Sequence, residues 1–205
     1  MQSLIDDEHS STYTVRDIYG NDTDTPYNIP QNSPISLLVD DQPRSPTSPG
    51  IEMSSILEDE DGNSVDLSFL KGKLVGFYFS AGWCPPCRAF SPQLSYFANG
   101  HAREFVVIFV SSDHTEEEMK TFVKGKGFLH VRWNSSVRHQ LVQYLSVTSL
   151  PTLTICNADT GYVVTNWGRT AMLMNAENCL HEWQRGLNGI SILSYLGLRD
   201  LNCMG

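Results

Sequence analysis

The chain of 205 residues has no stretch near 18 consecutive apolar residues, which excludes a transmembrane helix. Its first residues, MQSLIDDEHS, show neither the basic start nor the following apolar run of a secretory leader. Positive charge is scarce, with 14 Lys and Arg against 23 Asp and Glu and a net charge of −9. Nucleic-acid binders draw much of their affinity from clustered cations, so neither nucleic acid nor a membrane is expected as a partner. Cysteine is sparse too. Cys84, Cys87, Cys156, Cys179 and Cys203 are odd in number and irregular in spacing, unlike a secreted disulfide framework. The six histidines supply no H-x3-5-H pair, and no second cysteine knuckle accompanies Cys84 and Cys87, so no metal site is expected.

Hydrophobic residues make up 40% of the chain and aromatics 10%, enough for a real core. Charge and proline are uneven. Residues 1–50 hold eight acidic side chains against two basic ones, and six of the ten prolines. Their apolar residues, such as Ile35, Leu37, Leu38 and Val39, form short islands, and the composition predicts a disordered acidic tail. Ser33-Pro34, Ser45-Pro46 and Ser48-Pro49 have the form of proline-directed kinase sites, although any Pro-rich linker carries such pairs. A domain over 51–190 and an extension over 191–205 complete the expected organisation.

Within the domain, Leu74–Phe79 and Phe105–Val110 are continuous apolar runs of strand length, as in strands buried on both faces. Phe90, Leu94 and Phe97 share one face of a helix that follows Cys84 and stops at Asn99-Gly100. Thr115 and Glu118 make a capping box ahead of a helix with Met119, Phe122 and Val123 on its apolar stripe. A weaker helix runs from about Ser136 through Leu145. Leu153–Ile155 and Tyr162–Thr165 flank a hairpin turn, and a last helix from about Asn175 aligns Cys179, Leu180, Trp183 and Leu187. The predicted class is α/β, a central sheet with helices on both faces.

Trp83-Cys84-Pro85-Pro86-Cys87 stands where a buried strand hands over to a helix. Two intervening residues let the sulfurs meet within the first helical turn, so the pair can cycle between dithiol and disulfide. The helix N-terminus favours a thiolate at the first cysteine, and prolines are tolerated at the first two helical positions. Those prolines remove two amide donors, which leaves the N–H and thiol of Cys87 as the local donors to Cys84. Cys84 is therefore assigned as the nucleophile and the more shielded Cys87 as the resolving thiol. Cys156 and Cys179 lie on apolar faces and read as core thiols.

Trp83–Pro92, with Lys73–Ala81 before it, resembles the active-site segment of the tryparedoxin/nucleoredoxin branch of the thioredoxin superfamily. The resemblance spans about residues 51–187. Pro92 matches the proline of the active-site helix, Val110–Asp113 the second-strand end, and Leu150-Pro151-Thr152 the segment that holds the superfamily's cis-proline. Gly161, Gly168 and the stretch Thr165–Arg169 are also similar to that branch. The resemblance implies a thioredoxin-like fold with a mixed sheet. It further implies a protein dithiol–disulfide oxidoreductase without a cofactor, with Cys84 and Cys87 as the redox-active disulfide. Trp83, Pro85, Pro86, Leu150 and Pro151 would bind substrate. Oxidised protein thiols and an unidentified upstream reductant are the implied partners, in the cytoplasm, with the nucleus as a second setting. The alternative is a redox-sensitive adaptor that binds signalling proteins with little turnover.

Two departures stand out. Tyr78 occupies the place where typical thioredoxins carry a buried aspartate, and a phenol with a pKa of about 10 is a poor base at neutral pH. The proton relay of Cys87 is thus assigned to Tyr78 and Asp113, with His114 and Glu116 as further candidates and Asp113 ahead of them. The family's loop after the second helix is altered to Gly127–Trp133, where Trp133 reads as a packing residue.

Overall fold

The computed structural model describes residues 29–39 and 56–190, and the backbone of two short strands, β1 (Val15–Arg16) and β2 (Asp22–Thr23), paired antiparallel. The main sheet contains β3 (Leu57–Glu58), β4 (Leu74–Ser80), β5 (Phe105–Ser111), β6 (Leu129–Val131), β7 (Thr152–Asn157) and β8 (Val163–Thr165). Their spatial order is β3-β6-β5-β4-β7-β8. β4, β5 and β6 run parallel, while β3, β7 and β8 are antiparallel to their neighbours, so the sheet is mixed. Among the described residues, five α-helices accompany it: α1 (Pro85–Gly100), α2 (Glu116–Val123), α3 (Val137–Tyr144), α4 (Gly168–Asn175) and α5 (Cys179–Gln184).

Alternation along the central strands divides the core in two. Tyr78, Phe105, Val107, Phe109, Leu153 and Ile155 face a cluster completed by α1, α2, α4 and α5. Val75, Phe77, Phe79, Val106, Ile108 and Val110 face a second cluster, covered by α3 and by residues outside the helices. Because both faces are covered, β4 and β5 are buried throughout, which is why they read as unbroken apolar runs. Gly76 lies between Phe105 and Leu153, and a Cβ there would fall 2.7 Å from the Phe105 ring.

Part of the expected tail is ordered on this second face. Ile29, Ile35 and Leu38 are buried in the cluster with Phe77, Val137 and Leu141. Tyr144 Oη donates to Asn32 O (2.7 Å), and Ile56 N donates to Leu38 O (3.2 Å). A disordered tail over all of 1–50 is thus corrected for residues 29–39: three apolar side chains suffice when a preformed surface receives them. Ser33 is buried, its hydroxyl donating to Pro30 O (2.6 Å). Ser45-Pro46, Ser48-Pro49 and the extension 191–205 lie outside the described residues.

Two local readings also change. The altered loop Gly127–Trp133 contains β6; the helix expected from Asn175 starts only at Cys179 and ends at Gln184 as α5, and a further helix, α4, precedes it. Asn175 ends α4, where its buried amide donates to Gly189 O (3.2 Å) and accepts from Asn178 Nδ2 (3.2 Å). An asparagine that binds the neighbouring backbone favours such a turn over a continuing helix. Leu187, expected on the buried face, is exposed.

Candidate active site

Three chain segments meet where parallel β4 and β5 end and antiparallel β7 begins. Phe79 pairs with Thr152 and Ser80 with Ser111, so the loops 81–84, 112–115 and 149–151 leave the sheet side by side. Cys84 is the N-cap of α1, Pro85 and Pro86 are its first two residues, and a disulfide joins Cys84 to Cys87 across a Cα–Cα distance of 5.2 Å. Both cysteines are buried, Cys84 at 4% and Cys87 at 0% exposure, whereas Pro85 and Pro86 are exposed. The Leu150–Pro151 peptide bond is cis, and Pro151 is buried. Leu150 is half-buried and packs against both core clusters.

The loop before the disulfide is tied from several sides. Gly82 N donates to Asp113 Oδ1 (2.6 Å), and Arg88 Nη1 donates to Gly82 O (2.7 Å). Cys84 N donates to Ala81 O (3.2 Å). The second carboxylate oxygen of Asp113 accepts from the Ser111 hydroxyl (2.8 Å). Trp83 is half-exposed, its indole Nε1 donating to Ser112 O (3.0 Å). A groove of about 690 Å³ opens beside it, bounded among others by Trp83, Pro92, Asp113, Glu117 and Phe122.

Tyr78 lies beneath the disulfide. Its hydroxyl is 2.9 Å from Ser91 Oγ and 3.3 Å from Cys87 O, and Ser91 Oγ donates to Cys87 O at 2.8 Å. Burial pushes the Tyr78 pKa up, so the phenol keeps its proton at neutral pH. Of the other cysteines, Cys156 and Cys179 are buried and free, and burial pushes each thiol up to about 12. Among the described residues, no group of three or more His, Cys, Asp or Glu side chains is arranged to hold a metal ion. No helix among them is long and apolar enough to cross a membrane.

A family model described as thioredoxin-like matches residues 72–163. The tryparedoxin of Trypanosoma brucei brucei is 35% identical over 122 residues, covering 58% of this chain and 85% of that protein. This chain belongs to the thioredoxin-like family. Mouse nucleoredoxin is 38% identical over 123 residues, but the chain spans only 28% of that longer protein. The solved structure of tryparedoxin I from Leishmania major aligns with a TM-score of 0.58 and 36% identity, over 62% of this chain and 90% of that one. The mixed sheet flanked by helices is therefore a thioredoxin-like fold, and the chain is a thioredoxin-family oxidoreductase similar to tryparedoxin and nucleoredoxin.

Within this thioredoxin-like frame the structure gathers Trp83, Cys84, Pro85, Pro86, Cys87, Leu150 and Pro151 around three adjoining loops. Tyr78 lies below the disulfide and Asp113 beside the loop that precedes it. Sequence reasoning passed over Ser91, although its place four residues after Cys87 puts both on one helical face. It also passed over the Arg88–Gly82 bond and the stacking of His114 on Trp83. The backbone acceptor and the exposed ring pair left no pattern in the sequence.

Proposed function

We propose that the chain is a protein-disulfide reductase whose working pair is Cys84-Pro85-Pro86-Cys87. The observation that carries this reading is the Cys84–Cys87 disulfide at the N-terminus of α1, with Cys84 as the N-cap residue. In the reduced protein, the helix dipole and the nearby N–H groups stabilise a thiolate at Cys84. That thiolate attacks one sulfur of a client disulfide, forming a mixed disulfide and releasing the client's other sulfur as a thiolate. Cys87, once deprotonated, attacks Cys84 Sγ, closes the internal disulfide and releases the second client thiolate. An upstream dithiol, oxidised to its own disulfide, returns two electrons to the pair.

Tyr78 serves this cycle as a hydrogen-bonding group below Cys87 and not as a base, because burial raises its pKa. Asp113 has one carboxylate oxygen on Gly82 and the other on Ser111, an arrangement that suits a clamp on the loop. Trp83 and Pro151 flank the pair and would hold the client backbone. Two buried free thiols, Cys156 and Cys179, suit a reducing compartment such as the cytoplasm.

The test uses Cys87→Ser and Cys84→Ser in the full chain. Wild type reduces insulin disulfides, and both variants fall to the background rate. In cell extract, Cys87→Ser retains clients as adducts that dissolve on reduction, because the resolving thiol is gone. Cys84→Ser retains none. Equal recovery of partners by wild type and both variants, without reducible adducts, would replace the reductase with the adaptor reading.

A further inference from the structure

The connection between β5 and α2 reaches the active-site loop through three consecutive residues. Asp113 holds the backbone of Gly82, Ser112 O accepts from the Trp83 indole, and His114 lies against the indole face. The imidazole and indole are stacked, with centroids 5.7 Å apart and planes inclined by 19°. One hydrogen bond at Nε1 fixes an edge of the indole but leaves rotation about that contact open. A ring against the indole face removes that freedom. Trp83 is half-exposed and directly precedes Cys84, so without this contact little else would order it.

The placement of His114 does not depend on its own ring. Its backbone N–H donates to Glu118 Oε2 (3.0 Å), and the next residue, Thr115, is the N-cap of α2, accepting from Glu118 N (3.2 Å). The rigid start of the helix therefore sets the position from which the imidazole reaches Trp83. The indole also bounds the groove lined by Pro92 and Phe122.

We infer that His114 is a positioning residue. It stacks on Trp83, holds the indole as a fixed wall of the groove beside Cys84, and thereby sets affinity for the client segment that flanks a protein disulfide. This rests on the reductase reading of the site. His114 moves no proton in this role, and any flat ring of similar size can replace it.

The experiment measures insulin reduction by the full chain with His114→Ala and His114→Phe, alongside wild type. His114 is exposed and its backbone bonds survive substitution, so both variants retain the fold. His114→Ala raises KM about three- to tenfold, the range an aromatic pair contributes, while kcat stays within about twofold. His114→Phe restores KM. His114→Ala also changes the indole emission, and that change disappears in a Trp83→Phe background. Loss of kcat in both variants would mean that His114 transfers a proton, and wild-type kinetics for His114→Ala would mean that the stack is idle. Either overturns the inference. Absence of reductase activity in the wild-type chain would instead overturn the reading of the site, which the wild-type measurement reveals by itself.

Discussion

Cysteine plays two opposite parts in this chain, and the position of each side chain decides which. Cys84 caps a helix N-terminus, whereas Cys156 and Cys179 face the two cores. Burial holds the latter thiols neutral, pushing their pKa values up to about 12 from an ordinary 9.0. In the unfolded chain they ionise as pH passes about 9, while in the fold they stay protonated until about 12. A raised folded pKa contributes stability below the unfolded value, and that contribution is lost as pH rises through this window. At pH 10 the loss is about 1 kcal/mol for each thiol. Tyr78, also raised by burial, acts in the same direction at higher pH. Thermal melts between pH 8 and 10 therefore show falling Tm. Cys156→Val with Cys179→Ala shows a shallower fall, whatever its Tm at pH 8. Parallel slopes would mean that the buried thiols contribute nothing to the alkaline limit.

The elements legible in the sequence were those whose own pattern decides them. β4 and β5 are uninterrupted apolar runs, and the Thr115–Glu118 capping box marks the start of α2. The pairing of Cys84 with Cys87 could be read because two intervening residues let the sulfurs meet within one helical turn. Elements decided by distant contacts were not legible. β6 is three residues long and is held by β5 on one side and β3 on the other. The break between α4 and α5 depends on Asn175 meeting the backbone at Gly189. Asp113 could be placed near the site, but its partners Gly82 and Ser111 came only from the fold. Those contacts separate two roles. Asp113→Ala releases the Gly82 N–H and lowers stability by about 1–3 kcal/mol, the cost of an unpaired buried group. Its kcat/KM falls about tenfold, as expected when a positioned loop loosens. Asp113→Asn keeps an acceptor for Gly82 and recovers most of both. If Asp113 instead took the Cys87 proton, the asparagine variant would be as slow as the alanine one.

At the scale of the whole molecule, the sheet separates redox chemistry from the face that the N-terminal segment covers. α1 and the disulfide belong to one core cluster; Ile29, Ile35 and Leu38 belong to the other, with α3. The segment is also fitted to the β7–β8 turn. Gly161 has a positive φ of 70°, and a Cβ added there would lie 2.4 Å from Ser33 Cβ. A disordered tail over 1–50, as the composition predicts, would be dispensable for stability; the packing of 29–39 argues the reverse. Burying a large aliphatic side chain contributes about 1.5–3 kcal/mol, offset in part by the entropy of ordering the segment. A chain starting at Gly50 loses all three buried side chains and exposes Phe77, Phe79 and Leu141 beneath them. Its Tm falls by more than about 5 °C, as expected for a loss of about 2 kcal/mol or more in a chain of this size. Ile35→Ala and Leu38→Ala in the full chain each cost about 2–5 kcal/mol. Gly161→Ala, which presses on the segment from the opposite side, also lowers Tm. None of these changes touches the loops that carry Cys84, Trp83 and Pro151, so insulin reduction per folded molecule, measured well below each Tm, stays near the wild-type rate. A shortened chain as stable as the full one would show that residues 29–39 rest on the sheet without supporting it. A fully stable chain with lost activity would show that the two faces are coupled through the sheet.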